Sequence, residues 1–248
     1  MNFLNRVKDK ILSILLPKIK SSGYYAVRSL FDDLKVLIDK ENPVIIDGGA
    51  NSGETTDEFL LRYQNPVVYA FEANENLADN LVKRFKEKSN VHIIAKALGN
   101  QNSKVNFNIS KNLPSSSFLK HTNLLKEYHS NLVETAEVTL VDMVTLDSMF
   151  KNKEIIDLLK LDVEGYELEV LKGGNNILPN VKIIMTEVWF AGGYINAPYF
   201  SDIDVFLREN DFILLNIYNP YTHEDMQLTS ADAVFLNKKF FGNRKHFG

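Results

Sequence analysis

The sequence VIIDGGANSG, residues 44–53, decides the fold. A short apolar run that ends in an acid leads directly into a glycine-rich turn, as a strand leads into a helix in an open α/β sheet. Glycine in such a turn lets a ligand approach the backbone closely, and the free N–H groups at the start of the helix then face that ligand. The stretch therefore predicts a first strand, a ligand-binding turn and a helix over residues 53–63.

The chain after residue 43 alternates between strand-like and helix-like segments, which is typical of a parallel sheet with crossover helices. Further strands are predicted at residues 67–72, 91–95, 156–162, 181–188, 212–217 and 231–236. The loop between the last two strands is too short for a parallel crossover, so this pair should be antiparallel. Alternating segments at 104–109 and 137–141 predict an added β-hairpin after the third strand. We expect an α/β fold whose seven-stranded sheet is mostly parallel.

Helices between the strands are predicted from apolar spacing and from end signals. Residues 166–172 have helical character, and a glycine pair follows them. The pattern Ser201-x-x-Asp204 resembles a capping box, in which the side chains at the helix start satisfy free backbone N–H groups. We expect this box to open the helix that follows the fifth strand.

The composition excludes several classes of site. The chain of 248 residues is 45% hydrophobic and 24% charged, which is ordinary for a globular protein. It contains no cysteine, so disulfides, iron–sulfur clusters, thiolate nucleophiles and zinc–cysteine sites are excluded. The net charge of −4 lacks the positive bias of nucleic-acid-binding proteins. We expect a cytoplasmic protein that has no nucleic-acid partner.

Residues 1–42 are predicted to be an N-terminal helical segment, and residues 43–248 to be the main domain. The first twenty residues contain five basic residues and one acid, with apolar residues at helical spacing. The apolar run is too short to span a bilayer, and no cleavage site for a signal peptide follows it. The segment either packs its apolar stripe on the domain, which is the commoner case, or rests as a basic amphipathic helix on the inner face of an anionic membrane.

The glycine-rich turn and a second acid indicate an adenosine cofactor. Glu72 ends the second strand about twenty residues after the turn, where an acid commonly hydrogen-bonds ribose hydroxyls. A dinucleotide turn reads G-x-G-x-x-G, whereas this turn reads Asp47-x-Gly49-x-Asn51-x-Gly53, close to the acid-x-G-x-G-x-G of methyltransferases. The pattern favours S-adenosylmethionine, and we expect Asp47 to point into the crevice and accept from its amino group. The alternative is a turn that serves only a tight strand–helix corner.

Acidic residues gather at the predicted ends of strands four and five. The stretch KLDVEGYE, residues 160–167, closes strand four, and Glu187 ends strand five. In open α/β sheets the ligand lies outside the carboxyl ends of the strands, near the switch point. For Glu164 and Glu167 the alternative is a solvated acidic helix start, since acids favour the first turn.

Methyl transfer to an acceptor atom that carries a proton needs a group that takes this proton. Asp162 is our first choice, with burial expected to raise its pKa and Lys160 expected on the other face of the strand. Glu164 and Glu187 share the role or hold a metal, and His121 is the non-carboxylate rival. The acids could bind Mg²⁺, which prefers oxygen ligands, but they could equally stay metal-free, and no metal site is predicted.

An ordered set of short motifs over residues 44–212 resembles the FkbM family of methyltransferases. The motifs are DGGANSG at 47–53, FEAN at 71–74, ALG at 97–99, SSS at 115–117, TLD at 145–147 and LLKLDVEGYE at 158–167. The resemblance implies a class I methyltransferase, Rossmann-like fold and S-adenosylmethionine as the cofactor. The cofactor-binding residues would then be Asp47, Gly48, Gly49, Asn51, Gly53, Glu72, Ala73, Ala97, Leu98 and Asp162.

The family resemblance also implies O-methyl transfer, often to sugars of glycans, glycolipids or natural products. The acceptor does not carry over, because members of the family accept varied substrates. We expect an O-methyltransferase that acts on a sugar hydroxyl. The alternatives are a methyltransferase for a non-sugar metabolite, a non-catalytic binding module and an NAD-dependent enzyme.

Overall fold

The computed structural model describes residues 29–110, 116–120, 122, 135–150, 155–223 and 226–242. The chain divides into two units between Leu37 and Ile38. The division predicted from the sequence, between residues 42 and 43, stays a prediction, and the amphipathic segment at 1–20 lies outside the described residues. Helix α1, Leu30–Ile38, is the described element at the start of the chain. No helix in the described part of the chain is long and apolar enough to cross a bilayer.

The second unit alternates strands and helices from residue 44 onward. The main sheet contains β1 (Val44–Gly48), β2 (Val67–Phe71), β3 (Val91–Ile94), β7 (Ile156–Leu161), β8 (Val181–Trp189), β9 (Phe212–Thr222) and β10 (Leu228–Asn237). A smaller sheet contains β4 (Ala97–Leu98), β5 (Ser103–Ser110) and β6 (Thr135–Val144). The helices are α2 (Glu54–Arg62), α3 (Glu75–Arg84), α4 (Leu146–Met149), α5 (Glu167–Lys172), α6 (Phe200–Glu209) and α7 (Lys238–Phe241), with a 3₁₀ turn at Leu178–Asn180.

The main sheet has the seven-stranded order β3-β2-β1-β7-β8-β10-β9. The first five of these strands run parallel to one another, whereas β10 is antiparallel to both β8 and β9. The predicted sheet and its antiparallel last pair are therefore confirmed. The last connection is shorter than predicted, because β9 extends to Thr222 and β10 begins at Leu228. A tight connection of this kind is possible only between antiparallel strands.

The smaller sheet contains the predicted hairpin. Strands β5 and β6 pair antiparallel, and β4 adds to β6 in parallel. Part of the long connection between β5 and β6 is described, and there Ser117 forms an antiparallel bridge with Asn108 of β5. This contact brings the middle of the connection back to the hairpin and to the carboxyl end of the main sheet.

The start of α6 differs from the prediction. The helix begins at Phe200, and the Asp202 carboxylate accepts a hydrogen bond of 2.8 Å from the Tyr199 N–H. The predicted box of Ser201 and Asp204 is wrong, because Asp204 instead pairs with Arg208 one turn later, at 2.7 Å. A capping acid must stand at the third helical position, and here that position is Asp202.

Strand β7 lies at the centre of the fold and positions the candidate site. Its six residues are all buried, as expected for a strand that is covered on both faces of a parallel sheet. It pairs with β1 in a register that sets Asp47 opposite Lys160 and Gly48 opposite Leu161. The carboxyl ends of β1 and β7 therefore meet, and the loops that follow both strands lie side by side.

Candidate active site

The turn after β1 adopts a backbone conformation that favours glycine. Gly49, Asn51 and Gly53 have φ values of 78°, 49° and 88°, and asparagine tolerates this region better than most residues. A Cβ atom on Gly49 would lie 1.9 Å from the carbonyl oxygen of Asp162. Gly49 is therefore required by the close approach of two strand ends, in addition to its positive φ.

Two glycines that were predicted to bind the cofactor pack closely against neighbouring side chains, and their role in cofactor binding stays a prediction. A Cβ on Gly48 would meet Leu161 and Leu98 at 3.0 and 3.1 Å, and one on Gly53 would meet Leu81 of α3 at 2.8 Å. Neither residue lines the cleft described below. The turn needs these glycines because the strand and the helix on either side of it are tightly packed.

Glu72 connects the turn to the end of β2. The side chain is buried, with 7% exposure, and its two oxygens accept 2.8 Å hydrogen bonds from the N–H groups of Asn51 and Asn74. Burial raises the pKa of Glu72, although both backbone bonds oppose this shift. A carboxylate oxygen accepts more than one hydrogen bond, so Glu72 can hold the turn and still accept from a ligand.

The expectation that Asp47 points into the crevice is wrong. Its carboxylate is fully buried, accepts from the Thr56 hydroxyl at 2.7 Å and pairs with the Lys160 ammonium at 3.1 Å. Lys160 also donates to the carbonyl oxygens of Gly48 and Gly49, at 3.3 and 2.9 Å. Asp47 therefore acts on the turn through Lys160 and lies out of reach of a ligand.

The predicted direction of Lys160 is also wrong. Its ammonium lies on the side of the site, 3.7 Å from the Asp162 carboxylate. Residues two apart in a strand share a face, so Lys160 and Asp162 point the same way. The neighbouring acids, Asp47 above all, raise the pKa of Lys160 despite its burial.

A cleft lies at the carboxyl ends of β1, β2 and β7, with about 780 Å³ of space when the open solvent at its mouth is included. The predicted residues that line it are Gly49, Asn51, Glu72, Ala73, Ala97, Leu98, Asp162 and Glu164. The lining residues that were not predicted as site residues are Phe71, Leu77, Lys96, Phe107, Ser116, Phe118 and Val163. Of these, Phe71, Ser116 and Val163 lie within the short motifs quoted above. Leu77 and Phe107 stand out only as apolar positions in a predicted helix and hairpin. Phe118, in the long connection, has no local signal.

Glu164 stands where β7 gives way to α5. It has a φ of 56°, and its carboxylate accepts a short hydrogen bond from the Tyr194 hydroxyl. Burial and the nearby Asp162 carboxylate raise the pKa of Glu164 to about 8, although Tyr194 opposes this shift. It lines the cleft and precedes the helix, so the alternative of a solvated helix start does not hold for this residue.

Glu167 likewise differs from a solvated helix start. It is fully buried, and its carboxylate accepts from the N–H groups of Val163 and Gly165 at 2.9 and 3.2 Å. Burial raises its pKa to about 7. Glu167 therefore braces the turn that carries Glu164.

Glu187 lies within β8 rather than at its end, opposite Asp232 of β10. It is not among the residues that line the cleft. Burial, followed by the charges of Asp162 and Glu164, raises its pKa well above the ordinary value. Among the described residues, its buried Oε2 atom has no hydrogen-bond partner. Glu187 therefore lies close to Asp162 and Glu164 without lining the cleft itself.

Two further expectations concern metals and histidine. Within the described part of the chain, no three or more His, Asp or Glu side chains are grouped so that they could hold a metal ion. His121, the rival base, lies outside the described residues. The described carboxylates of the site thus include Asp162 and Glu164 in the cleft, with Glu167 and Glu187 behind them.

Comparison with known proteins identifies the domain. A family model described as the methyltransferase FkbM domain matches residues 47–214. The chain belongs to the FkbM methyltransferase family. The match covers the turn, both acidic strand ends and most of the sheet, so the resemblance seen in the motifs is confirmed.

Two relatives and one solved structure extend this assignment. The chain is 25% identical over 158 residues to 2-O-methyltransferase NoeI of Sinorhizobium fredii, a match that covers 61% of this chain and 65% of NoeI. It is 29% identical over 212 residues to methyltransferase sdnD of Sordaria araneosa, covering 75% of this chain and 81% of sdnD. The crystal structure of methyltransferase FkbM from Methylobacillus flagellatus has a TM-score of 0.51 and 15% identity, covering 78% of this chain and 44% of that one.

The matches cover only part of two of these proteins. The chain spans less than two thirds of the length of NoeI and of the solved FkbM structure. The structural match shows a shared fold, and the seven-stranded sheet with its antiparallel last pair is that of class I methyltransferases.

Proposed function

We propose that this FkbM domain transfers a methyl group from S-adenosylmethionine to a hydroxyl group of a sugar. The observation that carries the proposal is the composition of one cleft. The turn of Gly49 and Asn51 and the carboxylate of Glu72 lie along one side of it, and Asp162 and Glu164 lie along the other. A cofactor site and a group able to take a proton therefore share one space.

The residues of the cleft fit this cofactor. Gly49 leaves room for a ligand against the backbone, and Glu72 can accept from ribose hydroxyls. Ala97 and Leu98 offer an apolar wall, while Asp162 adds negative charge suited to a cationic ligand. When bound, the cofactor supplies an electrophilic methyl group on a sulfonium.

Transfer to oxygen is supported by the acidic side of the cleft. A hydroxyl is a poor nucleophile until its proton begins to leave, and a positioned carboxylate typically contributes about 10²–10⁴-fold to such a step. Glu164 has a raised pKa near the pH at which an enzyme operates. The relative NoeI is a 2-O-methyltransferase, which favours oxygen as the acceptor atom.

A sugar acceptor is supported by the chemistry of the acids and by the family. Carboxylates accept hydrogen bonds from hydroxyl groups, which a sugar offers in numbers. The aromatic residues at the end of β8 and after it contribute less, because Trp189 and Tyr194 are buried and pack edge to face on each other. The alternative acceptor is a hydroxylated metabolite that is not a sugar.

The experiment is an acceptor panel with the purified protein and S-adenosylmethionine. Neutral oligosaccharides and non-sugar hydroxy compounds are each incubated, S-adenosylhomocysteine formation is followed, and the methylated position is assigned by NMR. We expect methyl ethers on sugar hydroxyls. Products from non-sugars alone would replace the sugar by the alternative acceptor. A protein that binds no S-adenosylmethionine by calorimetry would overturn the proposal.

A further inference from the structure

A short segment of the long β5–β6 connection crosses the acidic end of β7. We call residues 116–120 and 122 the strap. At one end Ser117 and Asn108 exchange backbone hydrogen bonds of 3.0 and 3.1 Å. At the other end the Thr122 hydroxyl donates to the Gly192 carbonyl at 2.9 Å, and the Ile195 N–H donates to the Lys120 carbonyl at 2.7 Å. The strap therefore ties the hairpin to the segment that follows β8.

Glu164 is held from both sides where the strap passes. The Ser117 hydroxyl donates to its main-chain carbonyl at 2.6 Å, and the Tyr194 hydroxyl donates to its carboxylate. Ser117 and Tyr194 are themselves buried, with 1% and 3% exposure. A glutamate at a φ of 56° is strained and persists only when its surroundings fix it. These two hydroxyls supply that restraint.

The direction of the Ser117 bond is fixed by its second partner. The same Oγ atom accepts from the Leu119 N–H at 3.0 Å, so the one hydroxyl proton is committed to the Glu164 carbonyl. The following Gly165 has a φ of 91°, and a Cβ there would lie 3.1 Å from Tyr194 and from Ala197. The backbone of residues 164–165 is therefore locked against the strap and against the segment after β8.

Asp162 lacks this arrangement. Its carboxylate lies 3.7 Å from the Lys160 ammonium and has a side-chain exposure of 46%, so it already faces a cation and is partly open to solvent. Among the described residues, no hydrogen bond joins a cation to the Glu164 carboxylate. Glu164 lines the same cleft and is the better placed base.

We propose that Glu164 takes the proton of the acceptor hydroxyl, and that Ser117 and Tyr194 are the residues that position it. This rests on the proposed methyl transfer. As the acceptor oxygen bonds to the methyl carbon, the carbon–sulfur bond breaks and its electron pair stays on sulfur. The hydroxyl proton passes to a carboxylate oxygen of Glu164. The products are a methyl ether, neutral S-adenosylhomocysteine and protonated Glu164, which returns its proton to solvent.

The charged and titratable groups around Glu164 determine the expected pH dependence. They are Asp162, Glu167 and Lys160 near β7, Glu187 on β8, and Tyr194 after it, while the strap contributes Lys120 at the surface. Burial and the acids raise the pKa of Glu164 to about 8, and the Tyr194 bond lowers it. The rate should therefore rise with pH as Glu164 loses its proton, at a pH below this value when the cationic cofactor is bound. Loss of the Tyr194 hydroxyl should move the rise to higher pH.

The test compares the pH dependence of kcat for Tyr194→Phe, Ser117→Ala and two controls, at saturating cofactor and acceptor. Tyr63→Phe deletes another buried tyrosine hydroxyl, at the end of α2 and near Asp157. Thr122→Val deletes a strap hydroxyl that bonds Gly192 and leaves Glu164 untouched. We expect Tyr194→Phe to move the rise by about one pH unit or more. Ser117→Ala should lower kcat about tenfold or more with unchanged affinity for S-adenosylhomocysteine.

Both controls should keep the wild-type pH profile. The hydroxyls that they delete have structural roles, so their loss can change the stability of the fold but not the pH dependence of kcat. Glu164→Gln should lower kcat about 10²-fold or more at every pH. A Tyr194→Phe enzyme with an unmoved rise, or a Glu164→Gln enzyme with more than about a tenth of wild-type kcat, would overturn the assignment. If Tyr194→Phe does not fold, a Ser117→Ala enzyme with wild-type kcat would likewise overturn the assignment. A wild-type protein that binds S-adenosylmethionine but methylates no hydroxyl would overturn the proposed function first.

Discussion

Glu72 serves two partners whose N–H groups lie on different segments. Its oxygens hold Asn51 in the turn after β1 and Asn74 at the start of α3. Asn74 in turn caps α3 by accepting from the N–H groups of Asn76 and Leu77. The shape of the proposed cofactor side of the cleft therefore depends on one buried carboxylate.

Replacing this carboxylate should weaken cofactor binding without unfolding the domain. Glu72→Gln puts an amide nitrogen where one backbone N–H needs an acceptor, and a hydrogen bond to a charged group is worth about 1.5–3 kcal/mol. We expect the affinity for S-adenosylhomocysteine to fall at least tenfold by calorimetry. The control is Glu75→Gln in the exposed first turn of α3, which should bind as the wild type does. Equal affinity in both variants would remove Glu72 from the ligand site.

The acids of the site show what a single sequence can and cannot predict. The carboxyl end of β7 was predicted as the acidic side of the site, because strand ends in an α/β sheet face the ligand. The direction of Lys160 was missed, since β7 is buried on both faces and its apolar pattern does not distinguish them. The burial of Asp47 follows from its partner Lys160, a contact across 113 positions that no local pattern indicates.

At the scale of elements, the meeting of β1 and β7 leaves no space for a side chain. The Asp162 N–H donates to the Gly48 carbonyl at 3.1 Å, and the Asp162 carbonyl faces Gly49. Both strand ends are therefore in direct contact. Any group inserted between them changes the cofactor turn and the acidic loop at once.

A methyl group at Gly49 tests this coupling. Gly49→Ala places a Cβ 1.9 Å from the Asp162 carbonyl oxygen, at a φ of 78°. We expect cofactor binding to be lost and stability to fall by about 2 kcal/mol or more, measured by calorimetry and urea unfolding. Gly192→Ala is the matched control, since its Cβ would meet nothing nearer than 3.7 Å. A Gly49→Ala protein that binds cofactor normally would contradict the coupling.

The elements were predictable where neighbours in sequence are neighbours in space. Strand positions and the antiparallel last pair follow from apolar runs and loop length. The strap was not predictable, because Ser117 meets Glu164 and Thr122 meets Gly192 only after the chain has folded. The start of α6 was displaced for a local reason, as Asp202 and Asp204 both suit a capping acid and the fold selects Asp202.

At the scale of the whole molecule, β7 has different charge arrangements at its two ends. At the amino end the buried Asp157 accepts bonds of 2.8 Å from Lys40 and Lys182 and one of 2.9 Å from the Val44 N–H. Burial alone would raise the pKa of Asp157, but these bonds outweigh it and the pKa is lowered. At the carboxyl end the acids outnumber their cations. One end of the sheet therefore has a neutralised buried acid, and the other has an excess of acids in the part that we propose to be the catalytic site.

The stability of the domain should reflect the amino-end arrangement. A lowered pKa means that ionised Asp157 stabilises the fold above its ordinary pKa of about 4, and that this contribution is lost as the pH falls through the lower, folded value. Asp157→Asn should cost about 3 kcal/mol in urea unfolding at pH 7 and progressively less below about pH 4. Asp142→Asn, which removes an exposed pair with Lys104, should cost under about 1 kcal/mol. A pH-independent difference between wild type and Asp157→Asn would contradict this account.

The acids around Glu164 should link the binding of S-adenosylmethionine, but not that of S-adenosylhomocysteine, to the release of protons. S-adenosylmethionine carries a positive charge that S-adenosylhomocysteine lacks, and a cation placed beside carboxyls of raised pKa drives protons off them. The calorimetric heat of binding the charged cofactor at pH 8 should therefore depend on the ionisation enthalpy of the buffer, whereas the heat of binding the product should not. Equal buffer dependence for the two ligands would contradict this. By the same linkage, a higher pH should raise the affinity for S-adenosylmethionine relative to that for S-adenosylhomocysteine. Inhibition by the product should therefore weaken as the pH rises.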